Sequence, residues 1–249
     1  AGGCVNDAGV EAYKPNALLP WTYDQSVKPG DARQVREAVF QLSLRKRVLS
    51  CIPLYLGYSQ RSFWQVYDGE NSRPFRESNY NPEVFFDWRG LALSGWAFDL
   101  QAGVEHESNG QTLPDSRSWN RAYGRLRFDT LGQHLDLKAW VRLPEESEAE
   151  TTEPRADDNP DIQDYLGIFE LRTVLPLEHA AWLPGRELRV MLRKGTQDPS
   201  GTWQLDHIWP LPFLSGGLSL QTHFFYGYGE SLIDYKRRVN KVGIGVAVE

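Results

Sequence analysis

The chain has 249 residues, a formal net charge of −6, and 41% hydrophobic and 24% charged residues. That acidic balance argues against nucleic acid as a partner, because phosphate backbones are held by an excess of Lys and Arg. No apolar run approaches the ~18 residues of a membrane helix, which excludes an α-helical membrane protein but not a barrel, where lumen-facing residues dilute every apolar strand.

In chain order, the first candidate strand is residues 18–25 (LLPWTYDQ). From Arg36 a period-two pattern takes over: Ala38, Phe40, Leu42 and Leu44 alternate with Glu37, Val39, Gln41 and Ser43. Side chains on a strand point alternately to its two faces, so such a pattern separates one face from the other. Leu54, Leu56, Tyr58, Gln60, Ser62, Trp64 and Val66 share the next face, followed by Tyr80, Val84, Phe86 and Trp88. Residues 96–108 (WAFDLQAGVEHES) alternate strictly, and 118–128 (SWNRAYGRLRF) set Ala122, Gly124, Leu126 and Phe128 against Arg121, Tyr123, Arg125 and Arg127. Further runs span 135–143, 165–175, 188–194, 201–209, 218–226 and 242–248. An apolar outer face over an arginine-rich inner one suits a barrel in lipid.

Connections read as alternately short and long. Leu131 with Gly132, and residues 89–91, are expected to be tight turns, while 68–78, 109–116 and 144–161 are long and polar. Short turns on one rim and long loops on the other fit an outer-membrane barrel with the loops outside the cell. Such barrels have an even strand number, so eleven clear runs plus 18–25 predict a single twelve-stranded, all-β, transmembrane antiparallel barrel spanning 1–249. Residues 1–17 are expected to be an N-terminal periplasmic segment. The nine Trp and eleven Tyr fit interfacial girdles, although a carbohydrate-binding β protein has similar content. Cys4 and Cys51 allow one disulfide in an oxidising compartment and no more. A start at Ala1 and an end at Glu249, without the usual terminal aromatic, lead us to expect a mature chain trimmed at its ends.

His106 and Ser108 continue the apolar row of 96–108. Residues i and i+2 on a strand lie within ~7 Å on one face, so the imidazole can serve the hydroxyl as general base. A hairpin centred near Leu113 brings Asn120 opposite His106, where its amide oxygen can hold the second ring N–H. An amide rather than a carboxylate suits a lipid-facing position, where a charge is costly to desolvate. Base, nucleophile and amide on the greasy face point to hydrolysis at a membrane surface, against the blander reading of a His and a Ser at a barrel rim by chance. Gln60, on the apolar row of its strand, is expected to be an unpaired amide in lipid that self-pairs across a twofold, or else to sit wet near the headgroups.

HESNGQ and SRSWNR, together with SRPFRESNYNP at 72–82, DDNPDI at 157–162 and YGYGESLIDY at 226–235, resemble the outer membrane phospholipase A family. The resemblance covers about 72 to 248, and KPNALLPWTY at 14–23 is similar to the family's entry segment. It implies that Ser108 is the nucleophile, His106 the base and Asn120 the orienting residue, with the Gly110 backbone N–H donating to the oxyanion. It also implies a Ca²⁺ cofactor held by the Gln111 carbonyl, the Ser116 hydroxyl and the partner's carbonyl at the Ser72 position. Oxygen ligands of this kind suit Ca²⁺. The family usually has Arg where Gln111 stands. A second calcium site in the family uses two aspartates; one matches Asp158, while Leu113 occupies the other position and Asp115 lies nearby. Against this, Asp157, Asp158 and Asp161 read equally well as an ordinary solvated loop. The resemblance further implies a reversible homodimer involving Gln60, a Gram-negative outer-membrane location with the site facing the outer leaflet, and phospholipid and lysophospholipid substrates cleaved at sn-1 and sn-2. The rival readings are a porin or a non-catalytic structural barrel.

Overall fold

A computed structural model of the chain describes residues 9–31, 33–130, 132–145, 157–177, 185–197, 199–211 and 217–248. The strands are β1 (Glu11–Ala12), β2 (Asn16–Asp24), β3 (Arg36–Arg47), β4 (Leu54–Trp64), β5 (Phe75–Leu93), β6 (Trp96–Ser108), β7 (Ser118–Thr130), β8 (Gln133–Arg142), β9 (Phe169–Pro176), β10 (Glu187–Lys194), β11 (Gly201–Pro210), β12 (Leu218–Gly227) and β13 (Val239–Val248). A short helix, α1 (Ile162–Leu166), precedes β9. From β2 to β13 each strand pairs antiparallel with its sequence neighbours, and β13 pairs with β2. The result is the expected closed twelve-stranded barrel, with no open edge to satisfy in lipid. The fragment β1 lies outside this ring and pairs with Arg45 and Leu44 of β3.

Period-two chemistry sorts the two faces. On β6 Val104 is half exposed while Glu105 is buried, and on β5 Val84 and Phe86 are exposed while Glu83, Phe85 and Asp87 are buried. The outer wall therefore carries Leu, Val and aromatic side chains, with stacked pairs such as Trp64–Phe75 near the rim holding the long loops and Phe86–Trp88 toward the opposite rim.

The lumen is polar, with ion pairs set around a cavity lined by residues such as Lys14, Glu105, Arg121, Arg172 and Arg193. Lys14 pairs with Glu83 at 2.6 Å, Lys138 with Glu105 at 2.7 Å, Arg121 with Glu105 at 3.1 Å, and Arg127 with Asp87 at 2.5 Å. Tyr13, just before β2, stacks on Phe85 at 5.1 Å and donates to Glu83. At the loop rim Ile162 and Leu166 of α1 join Leu232, Tyr235, Trp119 and Trp140 in one buried cluster.

Several local expectations differ from what is found. Residues 165–175 are not one strand, because α1 and Gly167 precede β9. Residues 89–91 are not a turn: β5 continues through a register shift between Trp88 and Leu91 to Leu93. The chain reverses instead at Ser94 and Gly95, both with positive φ, as a tight hairpin turn requires. The loop expected at 68–78 ends early, since β5 begins at Phe75. Asn16 and Ala17 belong to β2 rather than to a separate leading segment. Nor do loop lengths alternate strictly, because 195–200, on the rim of the long loops, is shorter than 177–186 on the opposite rim. Cys51 is disulfide-bonded. Cys4, Leu131 and Glu249 lie outside the described residues.

Candidate active site

The β6–β7 hairpin sets the site. Its register pairs His106 with Asn120 and Ser108 with Ser118, all on the outward, lipid-facing row at the loop end of the barrel. Behind them, on the lumen side, Arg121 pairs with Glu105 and Glu107, Trp119 Nε1 donates to Glu107, and the Arg121 guanidinium lies 3.8 Å from the Trp119 ring centroid. Trp119 is fully buried, so this layer is a rigid backing for the two strands.

His106 Nδ1 lies 2.9 Å from Asn120 Oδ1. An amide oxygen only accepts, so Nδ1 carries a proton, and in the neutral imidazole Nε2 is the nitrogen left with a lone pair. The Asn120 carboxamide is itself oriented, because its Nδ2 donates to Glu145 Oε1 at 2.8 Å. Glu145 follows β8, with Arg142 Nη2 3.6 Å from its carboxylate. Burial pushes the Glu145 carboxyl above its usual range, against the pull of Arg142. Ser108 is half-buried, and no hydrogen bond joins it to His106 among the described residues. Catalytic contacts of this kind are often long before substrate binds, and i,i+2 spacing leaves the ring free to tilt.

The loop after Ser108 is built around Asn109, which is buried. Its Oδ1 accepts from the Gln111 and Arg117 amides, and its Nδ2 donates to the Asp115 carbonyl. Gly110 has φ +65, and a Cβ there would sit 3.3 Å from the Tyr80 ring. Tyr80 pairs with Ser108 on one side and Gln60 on the other, so Gln60, Tyr80, Ser108 and Ser118 form one cross-strand row on the outer wall. Ser116 Oγ donates to Asp158 Oδ2 at 2.6 Å, and the Ser118 amide donates to Asp158 Oδ1 at 3.0 Å. Ser72, with φ 61, lies in the separate loop between β4 and β5.

The acidic loop is not merely solvated. Asp157 pairs with Arg142 at 2.6 Å, and Asp161 takes Lys236 at 2.8 Å and the Tyr235 hydroxyl. Burial opposes ionisation of Asp161, yet these donors hold its carboxyl below the usual range; burial and Asp161 push the Tyr235 phenol up to about 12. Asp115 is exposed. Gln60 is not the unpaired amide expected from the sequence. Tyr58 Oη donates to its Oε1 at 2.9 Å, and its Nε2 donates to Ser62 Oγ at 2.9 Å, which is joined to Ser78. Sequence reasoning missed Glu145, Asn109 and Tyr80. Alternation and pairing could have placed Tyr80, but nothing in the polar stretch around 145 marks Glu145.

The family described as Phospholipase A1 matches residues 5–248. The chain belongs to the phospholipase A1 family. It is 32% identical to a putative phospholipase A1 of Neisseria meningitidis serogroup B over 96% of this chain and 65% of that protein. It is 34% identical to a phospholipase A1 of Escherichia coli K12 over 84% of this chain and 68% of that one. The chain thus spans about two thirds of the length of the curated relatives it matches. Among solved structures it is similar to outer membrane phospholipase A from Escherichia coli, with TM-score 0.81 and 28% identity, covering 96% of this chain and 94% of that one. It is also similar to a Salmonella typhi outer membrane phospholipase dimer with bound calcium, with TM-score 0.80 and 28% identity, covering 98% and 94%.

The donor set of this chain fits a hard cation. Ser116 offers a hydroxyl already set against the Asp158 carboxylate, and the Gln111 carbonyl accepts no hydrogen bond among the described residues.

Proposed function

We propose that this barrel is a calcium-dependent phospholipase of the Gram-negative outer membrane, hydrolysing sn-1 and sn-2 acyl esters of phospholipids and lysophospholipids. The observation that carries the reading is the outward-facing pair His106 Nδ1–Asn120 Oδ1, one position along the strand face from Ser108. Ser108 Oγ attacks the ester carbonyl while its proton passes to His106 Nε2. The alcohol then leaves with that proton, and the acyl group stays on Ser108. Water attacks the acyl-enzyme, giving its proton to His106, and the fatty acid departs as the Ser108 hydroxyl is restored. The Gly110 N–H is the oxyanion donor on the chain. The Gln111 carbonyl and Ser116 hydroxyl would hold Ca²⁺ together with the Ser72 carbonyl of a second subunit, and Asp158 lies beside Ser116. When bound, the ion supplies electrostatic stabilisation of the oxyanion.

The dimer reading is supported by the row Gln60–Tyr80–Ser108, in which Gln60 stands two strands, or ~10 Å, from the nucleophile. The Gln60 amide keeps one N–H without a partner among the described residues, which a twofold mate can take. A partner docked there would cover the outer wall beside Ser108 and form an acyl groove, so reversible dimerisation would switch activity on. A porin reading is disfavoured by the ion pairs and the Tyr13–Glu83 contact that narrow the lumen.

Fatty-acid release from phospholipid micelles by detergent-refolded protein, with calcium, tests this reading. Ser108→Ala should abolish release while the barrel stays folded. Full activity in a folded Ser108→Ala protein overturns the assignment.

A further inference from the structure

Asn120 differs from an aspartate in one respect that matters for holding an imidazole, because its two ends are chemically opposite. Turned one way it offers His106 an oxygen, and turned the other way it offers an NH₂ that cannot hold the Nδ1 proton. Something must fix the turn. Its neighbours on the strands do not; Ala122 is apolar, and Ser118 donates its backbone amide to Asp158 rather than to Asn120. The Asn120 Nδ2 instead meets Glu145 Oε1 at 2.8 Å. An ionised carboxylate only accepts, so the end of the carboxamide facing it must be the NH₂. The oxygen is then left for His106 Nδ1. Resting on the hydrolase reading above, we infer that Glu145 is a positioning residue, the outer member of a His106–Asn120–Glu145 relay that sets the carboxamide and through it the imidazole tautomer.

Glu145 is well placed to be stiff. It follows directly on β8, where the Leu143 amide still bonds to the Asn120 carbonyl. Arg142 approaches its carboxylate while holding Asp157 and the Asn159 carbonyl with its other donors. The same guanidinium therefore ties the end of β8 to Asp157 and Asn159, just before α1. Glu145 touches neither the nucleophile nor the imidazole, so it acts on orientation and not on proton transfer.

The experiment is a double-mutant cycle in the full chain, assayed for kcat and KM on phospholipid micelles at saturating calcium. Glu145→Ala should lower kcat about tenfold with KM unchanged, because one hydrogen bond to a charged group is lost away from the substrate. Glu145→Gln keeps an acceptor of the same shape and should stay within about threefold of wild type. With Asn120→Asp, no turn needs fixing, and the new carboxylate faces Glu145 at hydrogen-bonding distance, where like charges repel. In that background Glu145→Gln should raise activity rather than lower it. The reversal of sign is what a merely structural loop contact does not produce. Unchanged kcat in Glu145→Ala overturns the inference, as does an equal effect of Glu145→Gln in the wild-type and Asn120→Asp backgrounds. Ser108→Ala, run alongside, separates the two readings. Retained hydrolysis there removes the Ser108 nucleophile on which the relay rests, whereas a dead Ser108→Ala with an indifferent Glu145→Ala removes only the positioning role.

Discussion

Asn120→Ala is the substitution that best divides orientation from chemistry. It deletes the acceptor 2.9 Å from His106 Nδ1 and leaves Ser108 and the imidazole in place. A hydrogen bond to a group that becomes charged is worth ~1.5–3 kcal/mol. Both residues are half-buried, so water replaces part of that interaction, and the lower part of the range applies. At ~1.36 kcal/mol per tenfold, the expected loss in kcat is ~10–40-fold. KM should be unchanged, because Asn120 orients the base and does not touch the ester. Initial rates on a short-chain acyl ester in micelles give both constants, and the heat-modifiable mobility of the folded barrel on a gel controls for unfolding. A loss as complete as that of Ser108→Ala would mean that Asn120 takes part in proton transfer. A loss below about twofold would mean that another group orients His106.

Chelation of calcium should silence hydrolysis, and Ser116→Ala should raise the calcium concentration needed for half-maximal rate, because a hydroxyl ligand is removed; undiminished turnover in excess chelator rules out metal assistance. Trp119→Ala should destabilise the barrel by ~3–5 kcal/mol, since it empties a fully buried site beneath the Arg121 guanidinium; urea unfolding in micelles measures this, and a change under about 1 kcal/mol would remove the supporting role given to that layer. The Asp161 carboxyl is held below the ordinary aspartate range by Lys236 and Tyr235, so these contacts contribute fully above the unfolded value and are lost as pH falls through the lower, folded one. Pepsin cleavage near 157–168 should accelerate over that acid interval in wild type and be fast throughout in Asp161→Asn; an equal rate in both proteins would refute the clasp.

Much of this is legible because a lipid-facing barrel writes its geometry as alternation. The row of 96–108, once read as a strand, places Val104, His106 and Ser108 on one face without further information. The cross-strand partner of His106 follows from the centre of a single hairpin. What alternation does not convey is anything decided by loops. Residues 89–91 look like a turn because Arg89 and Gly90 break the pattern, yet the ladder runs on past them through a register shift. Tyr165 and Leu166 read as strand because a short apolar run does not distinguish helix from sheet, and burial under the loop rim decides for α1. Glu145 sits in a polar run without periodicity, so its bond to Asn120 has no local signature. Gln60 reads as a polar residue on a greasy face, but the hydroxyls two residues away on either side, Tyr58 and Ser62, already serve it.

The outward mounting of the site also decides how the proposed enzyme meets its substrate. With ion pairs lining the inside of the barrel and the reacting groups mounted on its outer wall, an acyl chain reaches Ser108 sideways, by drifting within a leaflet. Encounter is then two-dimensional. The quantity that sets the rate is the mole fraction of ester in the surrounding lipid, and diluting the vesicles in water leaves it untouched. An enzyme built this way senses the composition of the surface that holds it, and can be abundant yet idle until ester lipid arrives among its neighbours.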